Sequence, residues 1–357
     1  MGSPLAERLT RPYLPVLDGL RAVAVGVGIA YHLGLPISGD LGVTGFFVLS
    51  GFLITRLLLA ELDETGAIDL GRFYLRRSAR IFPAYFAFLA GSALLDAVRG
   101  EPWPGQLVLA GALYAVNYYN AFHGHEGPIA HAWSLAVEEQ FYLLWPLGLL
   151  LLWRLPRPWL GPALEALVLG AMTWRAWCFL GLGVGPQYIY NAFETRMDAL
   201  ALGCLLAVLL RRDRWCRAAE DVARRSWWPL ITVALLGISR GLGSRSYHYS
   251  IGFTVDAALL ALLLIQLLVL AGRPGWAWLD WGPVRWLGRI SYPLYLWHLL
   301  GTGLGRRLPG PGWLQALAGI LVSVVLAAGS WYLIERPVLR LRGPVPTLLG
   351  GSRAQPG

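Results

Sequence analysis

Leu17-Asp18-Gly19-Leu20-Arg21 leads through an apolar run, Ala22 to Tyr31, into His32. An arginine and a histidine thus stand eleven residues apart inside a segment that otherwise reads as a membrane helix. Eleven residues is close to three turns, so Arg21 and His32 share one helical face, roughly 16 Å apart along the axis. An ionisable side chain in hydrocarbon is costly, and by default it faces a bundle interior or an aqueous cavity and does chemistry or transport there.

The rest of the chain supports the membrane context. Of its 357 residues 56% are hydrophobic, only 14% are charged and 17 are Trp, too little polar surface for a soluble fold of this length. The first apolar run follows Arg8 and Arg11, exceeds a signal h-region and lacks a small-x-small cleavage site, so no cleavable signal is expected. Cys178, Cys204 and Cys216 show no C-x-x-C spacing and are expected to be free thiols. The 30 basic residues behind the net charge of +9 are all arginine, a pattern of GC-rich coding rather than of nucleic-acid binding; no basic stripe with interleaved aromatics is present.

Apolar runs near the 20 residues needed to span occur at 16–35, 41–60, 81–98, 133–153, 160–183, 197–210, 227–242, 251–271, 290–304 and 313–334. Residues 107–120 are shorter and end on Asn117, Tyr118, Tyr119 and Asn120. Arginines cluster at Arg8 and Arg11, at Arg72, Arg76, Arg77 and Arg80, at Arg154 and Arg157, in 211–225, in 273–289, and at Arg336, Arg340 and Arg342. These alternate under the positive-inside rule only if 107–120 does not cross. The expectation is an all-α bundle of about ten spanning helices plus one re-entrant or interfacial helix, with both termini cytoplasmic. A single membrane domain, 1–342, precedes a short Gly- and Pro-containing tail, 343–357, expected to be disordered. No inverted repeat of the transporter kind is visible.

Seven motifs along the chain resemble those of the integral-membrane acyltransferase 3 family, from Leu17 to Pro337. Arg21 with His32 is similar to the family's Arg-x10-His signature. Gly42 to Phe52 (GVTGFFVLSGF) resembles its second-span motif, and Arg77-Ser78-Ala79-Arg80 its cytoplasmic Arg-x-x-Arg. Trp133 to Tyr142 (WSLAVEEQFY), Arg196 to Leu200 (RMDAL), Ser291 to His298 (SYPLYLWH) and Glu335-Arg336-Pro337 complete the series. The resemblance implies a bundle of about ten helices that transfers an acyl group, usually acetyl from acetyl-CoA, to a hydroxyl of a carbohydrate or glycosylated natural product. Acyl-CoA is then a co-substrate, with no permanently bound cofactor. The implied setting is the plasma (cell inner) membrane, multi-pass in the lipid bilayer, with no nucleic-acid partner and the oligomeric state open. Some members carry an added extracytoplasmic esterase-like domain. These 357 residues hold none, so transfer is expected to finish within the membrane part or pass to a separate partner.

Acyl transfer needs a base for the hydroxyl proton, stabilisation of the oxyanion and a cradle for the donor. His32 is the leading base, with an unperturbed pKa near 6.5 close to operating pH; the bland alternative is a histidine bonded to a backbone carbonyl. His298 is the runner-up, against a reading as an interfacial histidine among Tyr292, Tyr295 and Trp297. Adjacent on a helix, Glu138 and Glu139 point about 100° apart, and family spacing from Trp133 favours Glu138 as the carboxylate that orients His32. The alternative leaves both lining an aqueous vestibule. Ser50 is a possible covalent acceptor, although close helix packing with Gly45 and Gly51 is the preferred explanation.

Arg21, Arg77 and Arg80 suit the phosphates of coenzyme A. Ordinary positive-inside anchoring covers Arg72 and Arg76. Expected site residues are therefore His32, Glu138 and Arg21 for catalysis; Arg77, Arg80 and Arg21 for the donor; and Ser50, Glu139, Tyr295 and His298 for substrate contact. No metal is expected, because His123, His125, Glu126 and His131 lie in a Gly- and Pro-containing loop rather than on a rigid frame. Arg196 and Asp198 at i, i+2 are expected to bond other helices, while Arg175, Asp256 and Gln266 are buried polar positions with no assigned role. The rival function is a transporter or flippase of a glycosylated or acylated molecule, since intramembrane charge also marks substrate pathways.

Overall fold

The computed structural model describes residues 3–11, 13–125 and 127–341, and every regular element among them is helical. Twelve helices build and position the site. They are α1 (Pro15–His32), α2 (Gly39–Thr65), α3 (Leu70–Val98), α4 (Gly105–Ala112), α5 (Val116–His123) and α6 (Trp133–Trp153), followed by α7 (Leu160–Ala176), α8 (Met197–Leu209), α9 (Trp228–Leu242), α10 (Phe253–Leu270), α11 (Ser291–Gly305) and α12 (Gly312–Ser330). Six helical stretches are long and apolar enough to cross a membrane, namely Gly39–Thr65, Leu70–Val98, Ala130–Trp153, Arg157–Gly181, Arg245–Leu270 and Gly312–Arg340. Met197–Leu209 and Trp228–Gly241 are apolar but shorter. The remaining two expected spans differ for physical reasons. Asp18, Arg21 and His32 dilute the apolar character of α1, and α11 has only 15 residues. The expected tail, 343–357, lies outside the described residues.

Residues 107–120 form two helices rather than one. Tyr114 lies between them in the left-handed region (φ 51°), a strained conformation for a side chain of this size. Neighbouring groups hold it there. Its carbonyl accepts from Gln140 at 3.1 Å, and its ring stacks on Tyr85 with centroids 4.1 Å apart. Gln140 also bonds Asn117, and the Tyr85 hydroxyl donates to the Gly111 carbonyl at 2.9 Å. At eight residues each, α4 and α5 are about 12 Å long, far short of the roughly 30 Å hydrocarbon core.

The bundle closes where small residues let backbones meet. A Cβ on Gly51 of α2 would collide with the Leu200 carbonyl of α8, and one on Gly203 of α8 with the Val48 carbonyl of α2. In lipid, where apolar contact alone gives helices little drive to associate, such approach is a main source of packing energy. The buried polar residues tie the same helices together. Arg175 on α7 pairs with Asp198 on α8 at 2.8 Å and also donates to Thr254 on α10. Arg196, bonded to Thr44 on α2 at 3.1 Å, sits with its guanidinium 3.8 Å from the Phe253 ring centroid. Asp256 pairs with Arg240 at 2.7 Å, and Gln266 accepts from Thr232 at 2.9 Å. These residues are the bundle's interhelical ties. Cys178, Cys204 and Cys216 are buried free thiols.

Candidate active site

A cavity of about 100 Å³ opens among α1, α2, α3, α6 and α11. Seven of the sequence-predicted site residues border it: Arg21, Ser50, Arg77, Arg80, Glu138, Glu139 and Tyr295. They come from five helices widely separated in sequence.

One wall is cationic. Arg21 is the only one of its three arginines with an acidic partner among the described residues, Asp18 at 3.4 Å on its own helix. The Arg77 guanidinium lies 5.9 and 6.0 Å from the ring centroids of Tyr142 and Phe73, and its buried Nε has no hydrogen-bond partner. Arg80 stands 5.0 Å over the Trp331 ring. Trp331 opens a π-helical turn, Trp331–Glu335, a rare geometry that often marks functional positions. By contrast Arg72 and Arg76 are bound to Asp69 (3.8 Å) and Glu61 (3.7 Å), as anchoring arginines should be.

The same cavity carries the carboxylates. Ser50 donates to Glu138 Oε1 at 2.6 Å and accepts from the Tyr142 hydroxyl at 3.0 Å. This corrects two expectations. Glu138 takes its hydrogen bond from Ser50, and among the described residues it makes none to His32, which ends α1 and lies outside the lining of the cavity that Glu138 and Ser50 share. Ser50 is a polar member of the cavity rather than a packing residue, and Gly51 makes the close approach. Glu139 also borders the cavity, so both glutamates face it across the corner of α6.

His32 lies outside this cavity's lining and belongs to a row of imidazoles. Its ring centroid is 5.0 Å from that of His298, which is 5.4 Å from that of His131. His298 is buried at 1% exposure, inside the bundle rather than on its surface. Tyr295 joins the row to the cavity. Its hydroxyl donates to the His131 carbonyl at 2.7 Å and therefore accepts from Ser134 Oγ, also at 2.7 Å. Tyr142, Ser134, Ser291 and Tyr292 complete the polar lining and are not among the site residues expected from sequence. Both Tyr142 and Ser134 stand in the Trp133-to-Tyr142 motif, the signal that would have found them. His123 stacks on Tyr119 at 4.4 Å and His125 bonds Asn191, so these loop histidines serve local packing. Glu126 lies outside the described residues.

Such an arrangement sets guanidinium groups against a hydroxyl–carboxylate pair in a bundle interior, with imidazoles behind. It provides anion binding, proton acceptance and hydrogen-bond donors within one space.

Residues 14–333 match a family described as an acyltransferase domain. Among curated proteins the chain is similar to the peptidoglycan O-acetyltransferase OatA of Listeria monocytogenes, at 29% identity over 93% of this chain and 56% of that protein. It is 30% identical to the putative peptidoglycan O-acetyltransferase YrhL of Bacillus subtilis, over 91% and 55%, and 30% to the O-acetyltransferase OatA of Staphylococcus aureus, over 93% and 58%. The chain thus spans little more than half the length of these relatives. No solved structure matches it. With one family match across nearly all the described helices, and with residues of five of the seven motifs bordering one cavity, the chain belongs to the acyltransferase 3 family.

Proposed function

We propose that this protein transfers an acetyl group from acetyl-CoA to a hydroxyl of a carbohydrate, peptidoglycan glycan foremost, within the plasma membrane. The observation that carries the reading is the arginine wall. Arg77 and Arg80, without carboxylate partners among the described residues, border the same cavity as the Ser50–Glu138 pair. A partly buried guanidinium without an acidic partner favours a bound anion, and the phosphates of coenzyme A supply one. At about 100 Å³ the cavity is smaller than the roughly 300–1,000 Å³ that holds a whole drug-sized ligand. It suits the acyl thioester end, with the nucleotide outside at the arginines.

The accompanying topology has ten crossings and both termini in the cytoplasm, with α4 and α5 re-entrant. Arg21, Arg77 and Arg80 then face the cytoplasmic pool of donor, and His32 stands toward the other side. In this scheme His32 takes the acceptor's proton, Arg21 and Glu138 hold charge at the reacting end, and Ser50, Glu139, Tyr295 and His298 contact substrate. The test is reconstitution of the protein in proteoliposomes with acetyl-labelled acetyl-CoA and a soluble glycan fragment. Label is expected in an alkali-labile ester on the glycan; label confined to the donor and its hydrolysis product would overturn the proposal.

A further inference from the structure

His131 and His298 each carry a buried nitrogen with no hydrogen-bond partner among the described residues: Nδ1 of His131 and Nε2 of His298. Their other nitrogens fix what these atoms are. His131 Nε2 lies 3.1 Å from the Leu296 carbonyl, and His298 Nδ1 lies 2.7 Å from the Tyr295 carbonyl. A carbonyl only accepts, so those two nitrogens hold the protons. In the neutral rings the partnerless atoms are then bare lone pairs. Two lone pairs sealed from water call for donors.

His131 also borders a second cavity, about 220 Å³, between the C-terminal halves of α3 and α11. Its wall includes Ser92, Asp96, Arg99, Gly303 and Arg307. Asp96 is paired with Arg99 at 3.3 Å and accepts from Trp103 at 2.8 Å, so the rim offers both donors and acceptors. The layer between this cavity and the arginine-walled one contains Ser134, Tyr295 and the His131 carbonyl, joined by the two 2.7 Å hydrogen bonds.

We propose that the second cavity is the acceptor's vestibule, and that His131 Nδ1, on a residue of its wall, accepts a hydrogen bond from a hydroxyl of a carbohydrate. The chemistry selects the class of ligand. A phosphate or carboxylate presents only acceptors to the lone pairs. A metal ion finds no group of three His, Cys, Asp or Glu able to hold it among the described residues. Hydroxyl groups donate, and a sugar carries several on adjacent carbons. The assignment rests on the acetyl-transfer reading and adds to it the acceptor's side of approach and a further positioning residue, His131.

Two substitutions separate this role from a structural one. His131→Gln keeps an N–H for the Leu296 carbonyl and takes away the ring nitrogen at the Nδ1 position. Affinity of the full chain in detergent for a soluble peptidoglycan tetrasaccharide is measured by titration, and the KM values for glycan and acetyl-CoA are measured in proteoliposomes. His131→Gln is expected to weaken glycan binding and raise the glycan KM tenfold or more, with the acetyl-CoA KM unchanged. Gly303→Phe gives an independent arm, because Gly303 borders the vestibule and a Cβ there meets nothing within 4 Å, so a side chain has room to start into the space. It should weaken glycan binding as strongly. Glycan affinity within twofold of wild type in these variants, or a wild-type protein that does not bind the glycan, overturns the vestibule. A wild type that binds the glycan but transfers no acetyl group overturns the acetyl-transfer reading instead.

Discussion

The Ser50–Glu138 hydrogen bond offers the sharpest test of the site, because one bond joins two residues 88 positions apart. At 2.6 Å, with Ser50 donating to a carboxylate, it belongs to the charge-assisted class. Hydrogen bonds to charged groups contribute about 1.5–3 kcal/mol, and 1.36 kcal/mol is tenfold in rate. If the bond holds the carboxylate in its working position, Ser50→Ala alone should slow transfer by about 10- to 150-fold. Glu138→Gln keeps size and one acceptor oxygen but removes the charge, so its loss should be at least as large. The double variant should be no slower than the worse single one, since each change deletes the same interaction. The assay is O-acetyl content of wall glycan, measured as acetate released by alkali from a host lacking its own O-acetyltransferase, with membrane protein levels matched. A double variant whose loss equals the product of the single losses would refute the coupling. Tyr142→Phe removes only the neutral bond to Ser50, about 0.5–1.5 kcal/mol, and should cost roughly 2- to 13-fold.

Four further outcomes are expected. Arg77→Ala should raise the KM for acetyl-CoA without changing that for the glycan, and Arg77→Lys should restore it only in part, because an ammonium lacks the guanidinium fork; initial-rate kinetics on both substrates decide this. His32→Ala should cut transfer by about 10²–10⁴-fold in protein that still accumulates in the membrane, and activity within a few-fold of wild type would remove His32 as the base. Asp198→Ala leaves Arg175 buried without its partner and should destabilise the bundle by about 3–5 kcal/mol, read as a lower thermal midpoint in detergent. Cysteines placed at Glu101 and Gly124, in protein lacking the three native thiols, should label from the same side of the membrane; opposite sides would exclude the ten-crossing topology.

Much of the site was legible because lipid makes polar residues conspicuous. Arg21, Arg77, Arg80, Ser50, Glu138, Glu139 and Tyr295 stood out as polar or charged groups in or beside apolar runs, and the folded chain brings all seven to one cavity. What the sequence concealed was pairing. The spacing of Arg21 and His32 fixes a helical face but says nothing of which neighbour that face meets. Glu138 was therefore assigned to His32, whereas the fold gives it Ser50. His131 was hidden for another reason. Its significance lies in a backbone carbonyl on α11, Leu296, that locks its tautomer, and no local pattern announces a contact across 165 residues. The break at Tyr114 was invisible likewise, since a left-handed tyrosine is tolerated only because Gln140 and Tyr85 hold it.

The separation of Glu138 from His32 divides the work of the site. On the acetyl-transfer reading, the Glu138 carboxylate, bonded to Ser50, which Tyr142 in turn bonds, acts within the arginine-walled cavity where the donor's reacting end would be held. The imidazole row begins on the other side of Tyr295, and two of its three rings are anchored to backbone carbonyls. On the acetyl-transfer reading with the acceptor in the second cavity, donor and acceptor chemistry would meet at Tyr295 rather than in one open chamber. Such a layer limits the water that reaches the thioester, and hydrolysis is the reaction that competes most directly with transfer. It follows that changes at Tyr295 should uncouple donor use from product. Tyr295→Phe removes the bonds to Ser134 and His131 while keeping the ring, so acetyl-CoA hydrolysis should rise relative to glycan acetylation. Donor loss and glycan ester falling in parallel would show instead that the layer contributes to turnover without guarding the thioester.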